Sequence, residues 1–221
     1  MKIFRKLILT ICLGLLFCSC ADQSPVNLIP MQEIKGRDYD GKRFNVYRIR
    51  APLSWIRRDA LPEESLLDTK KSICEFLITE NDEIIRIAIH NFPSEEIEQR
   101  IPPNAQIARW QRQFEILQPE GTVTIPQAFS GYNGLKFKGT GKINKANSES
   151  IMLGWALQLD KEHYRMLSHP STPAENNLYR EMRADVTIKA TGPKELMEMH
   201  EEEINHFARS FELIEEIPSR T

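Results

Sequence analysis

The chain has 221 residues, 41% of them hydrophobic and 27% charged, a composition typical of globular proteins rather than disordered or fibrous ones. Its formal net charge is −2, and the chain without its first 19 residues, which hold three cations and no acidic residue, carries −5. This acidic balance argues against nucleic acid as a partner. The remaining part, about 200 residues, is long enough for one domain with its own core.

The N-terminal segment has the pattern of a secretory signal peptide. Lys2, Arg5 and Lys6 precede an apolar run over residues 7–17. A cationic start followed by about 7–15 apolar residues is typical of such signals. A membrane-spanning helix needs about 20 apolar residues, so this run is too short to remain as a span. The sequence therefore predicts a signal peptide over residues 1–19.

The apolar run is followed shortly by Ser19 and Cys20, and a small residue before a Cys resembles the lipobox of bacterial lipoproteins. The resemblance implies cleavage between Ser19 and Cys20, diacylglycerol on the Cys20 thiol and acylation of the new amine. Phe17 departs from the family, which prefers Leu three positions before the Cys. The alternatives are an ordinary signal peptide cut near Ala21, or an uncleaved one. Several acyl chains together hold a protein stably on a bilayer, so the resemblance predicts a membrane anchor in the bacterial cell envelope.

The other cysteines support this interpretation. Three of the four lie within residues 1–20, so an exported chain would keep Cys74 alone beside the anchor and would form no internal disulfide. Cys74 alternates with Phe76 and Ile78, which predicts a buried small hydrophobic residue rather than a reactive thiol.

The part after the anchor divides into three segments. Residues 20–43 are polar, contain Pro25, Pro30, Gly36 and Gly41, and show no sustained period, so we expect a lipid-anchored tether. Residues 44–215 are predicted to form a single domain. Residues 216–221 are predicted to be a C-terminal tail.

The first half of the domain is predicted to hold three strands and a helix. Residues 44–49 form a strand, and residues 73–79 and 84–91 form a hairpin. A helix opens at Pro102 and Pro103 and ends at Pro119. Its apolar stripe is Ile107, Trp110, Phe114 and Leu117, at helical spacing.

The second half is predicted to be strand-rich. Strands are expected over residues 122–129, 134–143, 151–159, 163–168 and 184–191. Residues 151–159 are apolar on nearly both faces, which indicates a central strand, and residues 169–183 are interpreted as a loop with a helical turn. A last helix starts after Pro193 and carries the stripe Leu196, Met199, Ile204, Phe207 and Phe211.

This order of elements resembles the Mog1/PsbP-like group, which includes bacterial lipoproteins of the DcrB and LpqN type. The marks are a Pro-x-x-Trp stretch at residues 51–55, the hairpin, and a final helix running into Ser210 and Phe211. The resemblance implies an α+β fold over residues 44–213, with an antiparallel sheet of six to seven strands sandwiched between helices. The loop at 169–183 departs from the group. Members bind partners such as a small GTPase, a photosystem, or envelope proteins and lipids, but a fold does not transfer function.

Tests for a phosphate loop and a metal site fail. Residues 139–142 read Gly-Thr-Gly-Lys, but a phosphate loop requires Gly where Lys136 stands and Ser or Thr where Ile143 stands. His200 and His206 are six residues apart and face different sides of a helix. With two ligands at most on one face, no zinc site is predicted.

No catalytic or cofactor-binding residue is predicted either. The chain has no Gly-x-Ser-x-Gly elbow, and the carboxylate pairs Glu63/Glu64 and Glu95/Glu96 lie in charged stretches typical of solvated surface. We therefore expect no enzyme, cofactor or metal.

The sequence predicts a lipid-anchored, non-enzymatic binding or assembly protein of the cell envelope, held to the membrane by its N-terminal acyl chains and contacting an envelope protein. The alternative is a carrier or receptor for an apolar ligand held between sheet and helix, suggested by Trp110, Phe114, Trp155 and Phe207. A third hypothesis is an envelope hydrolase whose site is assembled from distant residues.

Overall fold

The structure, a computed structural model, describes residues 29–37, 43–60, 70–143 and 148–217. Its strands are β1 (Met31–Lys35), β2 (Asn45–Arg50), β3 (Ile56–Asp59), β4 (Cys74–Glu80), β5 (Glu83–Phe92), β6 (Phe114–Leu117), β7 (Val123–Phe129), β8 (Tyr132–Ile143), β9 (Ser150–Leu159), β10 (Asp185–Pro193) and β11 (Glu212–Leu213). Its helices are α1 (Pro103–Gln111), α2 (Lys161–Met166), α3 (Pro173–Met182) and α4 (Lys194–Arg209).

The main sheet has eight antiparallel strands. Its order is β3-β4-β5-β10-β9-β8-β6, and β7 also pairs with β8. The 12-residue β8 pairs on one side with two short strands in turn, with β7 over residues 132–138 and with β6 near its own C-terminal end. Strand β9 lies between β8 and β10 with all but one of its residues buried, so the predicted central strand is confirmed.

Helices cover the two faces of this sheet, because successive strand residues point to opposite sides. On one face, Trp155 and Leu157 of β9 join the large core that α4 covers. On the other face, Met152 and Ala156 join a smaller cluster with Trp110 of α1. The predicted α+β class with an antiparallel sheet between helices is confirmed.

A second, three-stranded sheet has the order β1-β2-β11 and adds to the large core. Its strand β1 lies inside residues 20–43, so the prediction that this whole segment is a tether is wrong for residues 31–35. The pattern was missed because β1 is an edge strand that buries a single side chain, Ile34, completely. Burial of one such side chain stabilises a fold by about 1.5–3 kcal/mol.

Helix α1 is shorter than its apolar spacing predicts. The helix ends at Gln111, and Phe114 and Leu117 lie in β6 after the chain has turned. Phe114 still packs in the cluster of Trp110, with its ring centroid 6.4 Å from that of Phe137. The spacing therefore reflected a shared cluster rather than a shared helix.

Residues 161–182 form two helices instead of the predicted strand and loop. The predicted strand 163–168 is wrong because α2 occupies this stretch, with the Asp160 carboxylate accepting a hydrogen bond from the Glu162 N–H at 2.9 Å. The predicted loop contains α3, which begins at a capping box formed by Thr172 and Glu175.

Helix α4 forms as predicted, directly after Pro193, but Phe211 of the predicted stripe lies beyond its end at Arg209. Leu196, Ile204 and Phe207 are buried, but Met199 is 67% exposed. In the part of the chain that the structure describes, α4 is the longest helix, and no helix there has the length and apolar character required to cross a bilayer.

Candidate functional site: an open cleft at the ends of β8 and β9

The site begins with a cleft of about 530 Å³ where four elements meet. The cleft lies at one end of two neighbouring strands, where β8 starts and β9 ends. The first residues of α1 and of α2 complete it. The lining consists of Arg100, residues 103–104, residues 133–135 and residues 158–162.

A buried ion pair lies beside the cleft, with Arg100 in the cleft lining. Arg100, in the segment before α1, donates from Nη2 to Asp185 Oδ1 at 2.5 Å and to the Leu159 carbonyl at 2.7 Å. Both paired side chains are at least 92% buried, with 5% and 8% exposed. Gln158 donates to the other carboxylate oxygen of Asp185 at 3.0 Å. Both carboxylate oxygens of Asp185 are therefore occupied.

Burial and hydrogen bonding act on Asp185 in opposite directions. Burial raises the pKa of its carboxyl, while the hydrogen bonds from Arg100 and Gln158 act against that rise. A buried pair of this kind adds little net stability, whereas the loss of one partner leaves an uncompensated buried charge. Its role at this site is to fix the end of β9 and the approach to α1.

Helix α2 is held to the same centre by its one buried residue. The Arg100 guanidinium lies over the ring of Tyr164, 5.1 Å from its centroid. The Tyr164 hydroxyl donates to the Ser94 carbonyl at 2.9 Å. Arg100 thus contacts α2, β9 and β10 together, which makes the walls of the cleft one connected structure.

The rim of the cleft is rich in amides. Asn133 donates to Asp160 Oδ2 at 3.0 Å, and Gln158 donates to the Ile101 carbonyl at 3.1 Å. Asn104 is exposed at the start of α1. Among the described residues that line the cleft, none is Ser, Thr, Cys or His. The amides and charged side chains of the lining can recognise a ligand by hydrogen bonds.

A second buried polar group lies in α3 and has a structural role. Glu181 is fully buried and accepts hydrogen bonds from the Arg37 N–H at 2.8 Å and from Asn91 at 3.0 Å. The Tyr47 hydroxyl donates to the Glu181 carbonyl at 3.0 Å. Burial raises the pKa of the Glu181 carboxyl. These contacts tie the segment after β1 to α3 and β5.

The residues predicted for anchoring cannot be placed in this fold. Ser19 and Cys20 lie outside the described residues, as do Glu63 and Glu64. Cys74 is completely buried, as predicted, and burial raises the pKa of its thiol to about 12. Its thiolate form is therefore scarce at neutral pH.

The other tested motifs have ordinary partners. His200 contacts Glu203 at 3.0 Å and Glu80 at 2.9 Å, and these contacts raise the pKa of His200 although burial acts against the rise. Across the described ranges, no three His, Cys, Asp or Glu side chains are grouped as metal ligands. Residues 139–142 belong to strand β8, as predicted, and Lys142 pairs with Glu115 at 3.1 Å.

The aromatic residues that suggested an apolar ligand are packed against other side chains. Trp155 and Phe207 belong to the large core, where the rings of Phe207 and Phe76 lie 5.1 Å apart. Trp110 and Phe114 belong to the smaller cluster. None of these four aromatics is among the residues that line the cleft.

Arg100, Asp185 and Glu181 were not predicted from the sequence. A lone Arg between Glu98 and a Pro pair reads as surface, and its partner lies 85 residues away. Glu181 stands four residues after Asn177 in a stretch that the sequence indicates is polar. No local sequence pattern marks Arg100, Asp185 or Glu181 as buried.

No family model matches the chain, and no curated protein matches it. The chain is similar to the solved structure of LpqN, involved in cell envelope biogenesis of Mycobacterium tuberculosis, at 11% identity and a TM-score of 0.49, covering 83% of this chain and 91% of that one. It is similar to the cyanobacterial PsbP of Synechocystis sp. PCC 6803, at 11% identity and a TM-score of 0.41, covering 88% and 98%. A Pseudomonas aeruginosa protein of unknown function, a putative regulator, has 8% identity and a TM-score of 0.41, covering 86% and 100%.

Proposed function

We propose that the chain is a lipid-anchored protein of the bacterial cell envelope that works by binding a protein partner, and that it is not an enzyme. The observation that carries the anchor is the sequence of the first 20 residues, in which three cations and an apolar run lead to Ser19 and Cys20. Cleavage before Cys20 and acylation of its thiol and amine would hold residues 29–217 at a membrane surface. The Mog1/PsbP-like assignment of the domain belongs to this proposal.

The cleft is the proposed contact site for the partner. The exposed amide of Asn104 offers donors and an acceptor, and the side-chain carbonyls of Asn133 and Gln158 add acceptors, which match the N–H and C=O groups of a polypeptide. The ion pair of Arg100 and Asp185 holds the walls in place, so little side-chain entropy is lost on binding. The lining carries both signs of charge and favours a polar partner over an apolar ligand.

Mass spectrometry of the mature N-terminus tests the anchor. We expect a chain that starts at Cys20 and carries the mass of its acyl chains. Cys20→Ser should remove the acyl mass, and Cys18→Ser, the matched control, should keep it. A mature chain starting unmodified at Ala21, or an intact N-terminus, would overturn the anchor.

Site-specific photo-cross-linking in intact cells tests the binding role. A photoreactive residue at position 104, exposed at the cleft rim, should give a specific cross-linked band containing an envelope protein. The same residue at position 202, which is exposed on α4, should not give that band. Equal cross-linking from both positions, or none from position 104, would reject the cleft as the contact site.

A further inference from the structure

A second, smaller cavity of about 100 Å³ lies between β5, β10 and α1. Thr187 and Lys189 are two residues apart on β10 and point to the same face, and His90 of β5 stands directly opposite Thr187. Gln106 and Arg109 approach from one side of α1. We call this cavity, defined by these five residues, the cationic pocket.

The pocket exists because the neighbouring strand β9 carries small residues beside Thr187 and Lys189. Gly154 of β9 pairs with Lys189, and Ala156 pairs with Thr187. Trp110 of α1 rests on Gly154, where an added Cβ would lie 2.3 Å from its ring. Helix α1 therefore packs against β9 and leaves space over β10 and β5.

Among the described residues, the charged side chains that line this space are all cationic. They are Lys189, Arg109 and Lys70, and no Asp or Glu among the described residues lines the cavity. Lys189 donates to a neutral acceptor, Gln113 Oε1, at 3.1 Å. Within the described residues, neither Lys189 nor Arg109 forms an ion pair.

The nearby positive charges also contribute to lowered pKa values at Lys189 and His90. Burial lowers the pKa of Lys189, and the positive charges of Arg86 and Arg109 lower it further. Burial also lowers the pKa of His90 to about 4, and Lys189 contributes to that lowering. Like charges held close together repel each other, and a bound anion would offset the repulsion between Lys189 and Arg109.

Two buried polar side chains supply the second observation. Gln106 is 5% exposed and Thr187 is 6% exposed, and neither side chain has a hydrogen-bond partner in the part of the chain that the structure describes. Both line the pocket. Polar groups that reach the open space of the pocket beside two cations are available to a ligand with acceptor oxygens.

We propose that the cationic pocket binds a phosphate-type oxyanion, held by Lys189 and Arg109 and by donors from Gln106 and Thr187. The cavity of about 100 Å³ has room for a tetrahedral oxyanion. The oxyanion is either a free phosphate or the phosphate of a phospholipid head group. This site is independent of the anchor and of the cleft.

Calorimetric titration of the full chain in non-ionic detergent tests the site, with inorganic phosphate in one arm and dioctanoyl phosphatidic acid in the other. Dioctanoylglycerol, which lacks phosphate, is the lipid control. We expect one-to-one binding of a phosphate-bearing probe. Comparable affinities for phosphate and for the lipid indicate a free oxyanion, and at least tenfold tighter binding of phosphatidic acid indicates a head group.

Variants assign the binding to the pocket. Lys189→Gln should weaken it at least tenfold, because a charge-assisted hydrogen bond is lost. Thr187→Val should weaken it about threefold to tenfold. Lys142→Gln removes the same charge on β8 away from the pocket and should leave the affinity unchanged.

Thermal unfolding confirms that the variants are folded and gives a second readout. Phosphate should raise the Tm of the unaltered chain and leave that of Lys189→Gln unchanged. Absence of binding by both phosphate probes, or binding that Lys189→Gln and Thr187→Val leave intact, would overturn the proposal.

Discussion

The ion pair of Arg100 and Asp185 adds little net stability, but the removal of one partner should be costly. Asp185→Asn would leave the guanidinium buried with a neutral partner, so we expect a loss of about 3–5 kcal/mol in the free energy of unfolding. Arg100→Met combined with Asp185→Asn should cost less than the sum of the single changes, because the second change removes the uncompensated charge. Denaturant unfolding at pH 7 measures all three variants.

The matched control is an exposed ion pair. Glu115→Gln removes the partner of Lys142, whose side chain is 46% exposed, and should change the free energy of unfolding by less than about 1 kcal/mol. If Asp185→Asn costs no more than Glu115→Gln, the pair does not hold the cleft.

His90 makes stability depend on pH in a defined window. Burial, aided by Lys189, Arg37 and Arg86, lowers the pKa of His90 from 6.5 to about 4, against the hydrogen bond with the Lys70 carbonyl. Between these pH values the unfolded chain binds a proton that the folded chain does not, so stability falls as the pH falls from about 6.5 to about 4.

The variant His90→Gln isolates this effect from other titrating groups. The full pKa shift corresponds to about 3 kcal/mol, and solvent screening at the half-buried ring reduces this to an expected 1–2 kcal/mol. The difference in free energy of unfolding between the unaltered chain and His90→Gln, measured at pH 7.5 and pH 4, should change by that amount. Parallel pH profiles for the two proteins would refute the assignment.

At the scale of elements, β1 is the clearest test of where the domain begins. Ile34→Ala should lower the free energy of unfolding by about 2–4 kcal/mol, because the side chain is fully buried in the large core. Met31→Ala changes an exposed residue on the same strand and should cost less than about 0.5 kcal/mol. Equal, small effects in denaturant unfolding would mean that residues 31–35 act as a tether after all.

Gly154 determines how closely α1 approaches the sheet. Gly154→Ala would bring a Cβ to 2.3 Å from the Trp110 ring, so we expect a cost of about 1–3 kcal/mol as the helix shifts. Adding Trp110→Leu to this variant should cost less than Trp110→Leu costs alone, because the clash is gone. Additive effects in denaturant unfolding would show that the ring is not the obstacle.

The sequence was sufficient for elements that follow one local rule. The hairpin of β4 and β5, the central strand β9 and the helix after Pro193 all carry a regular pattern, and their positions agree with the structure to within a few residues. Local patterns report local periodicity and burial, which is why these predictions were accurate.

The sequence failed where tertiary packing decides. Phe114 has helical spacing from Trp110 because both fill one cluster, although the chain turns between them. The cleft depends on Arg100 meeting Asp185 across 85 residues, and the cationic pocket depends on β5, β10 and α1 meeting. Such contacts leave no signature within a window of neighbouring residues.

At the scale of the molecule, the two faces of the main sheet are covered unequally. The 16-residue α4 covers one face, and the nine-residue α1 covers part of the other. The cleft begins at the first turn of α1, and the cationic pocket lies beside its middle. Both proposed binding sites therefore lie at α1, where the short helix leaves parts of the sheet uncovered.

The sheet should nevertheless unfold as one unit with both faces. Trp155 of β9 belongs to the large core, and its neighbours Met152 and Ala156 belong to the cluster of Trp110. Because the same strand supplies both, neither cluster can persist once β9 separates from its partners. We expect a single transition, with equal denaturation midpoints whether or not a reductant is present, since Cys74 is buried and unpaired.

Tryptophan fluorescence can follow each face separately, because the three tryptophans are divided between the clusters. Trp110→Phe leaves Trp55 and Trp155 as reporters of the large core, and Trp55→Phe combined with Trp155→Phe leaves Trp110 as the reporter of the small cluster. In each variant the fluorescence midpoint should equal the far-UV circular dichroism midpoint of the same variant, which controls for the stability change. A Trp110 midpoint below its own circular dichroism midpoint would show that α1 detaches before the sheet unfolds, and the cleft and the pocket would then be lost before the fold itself.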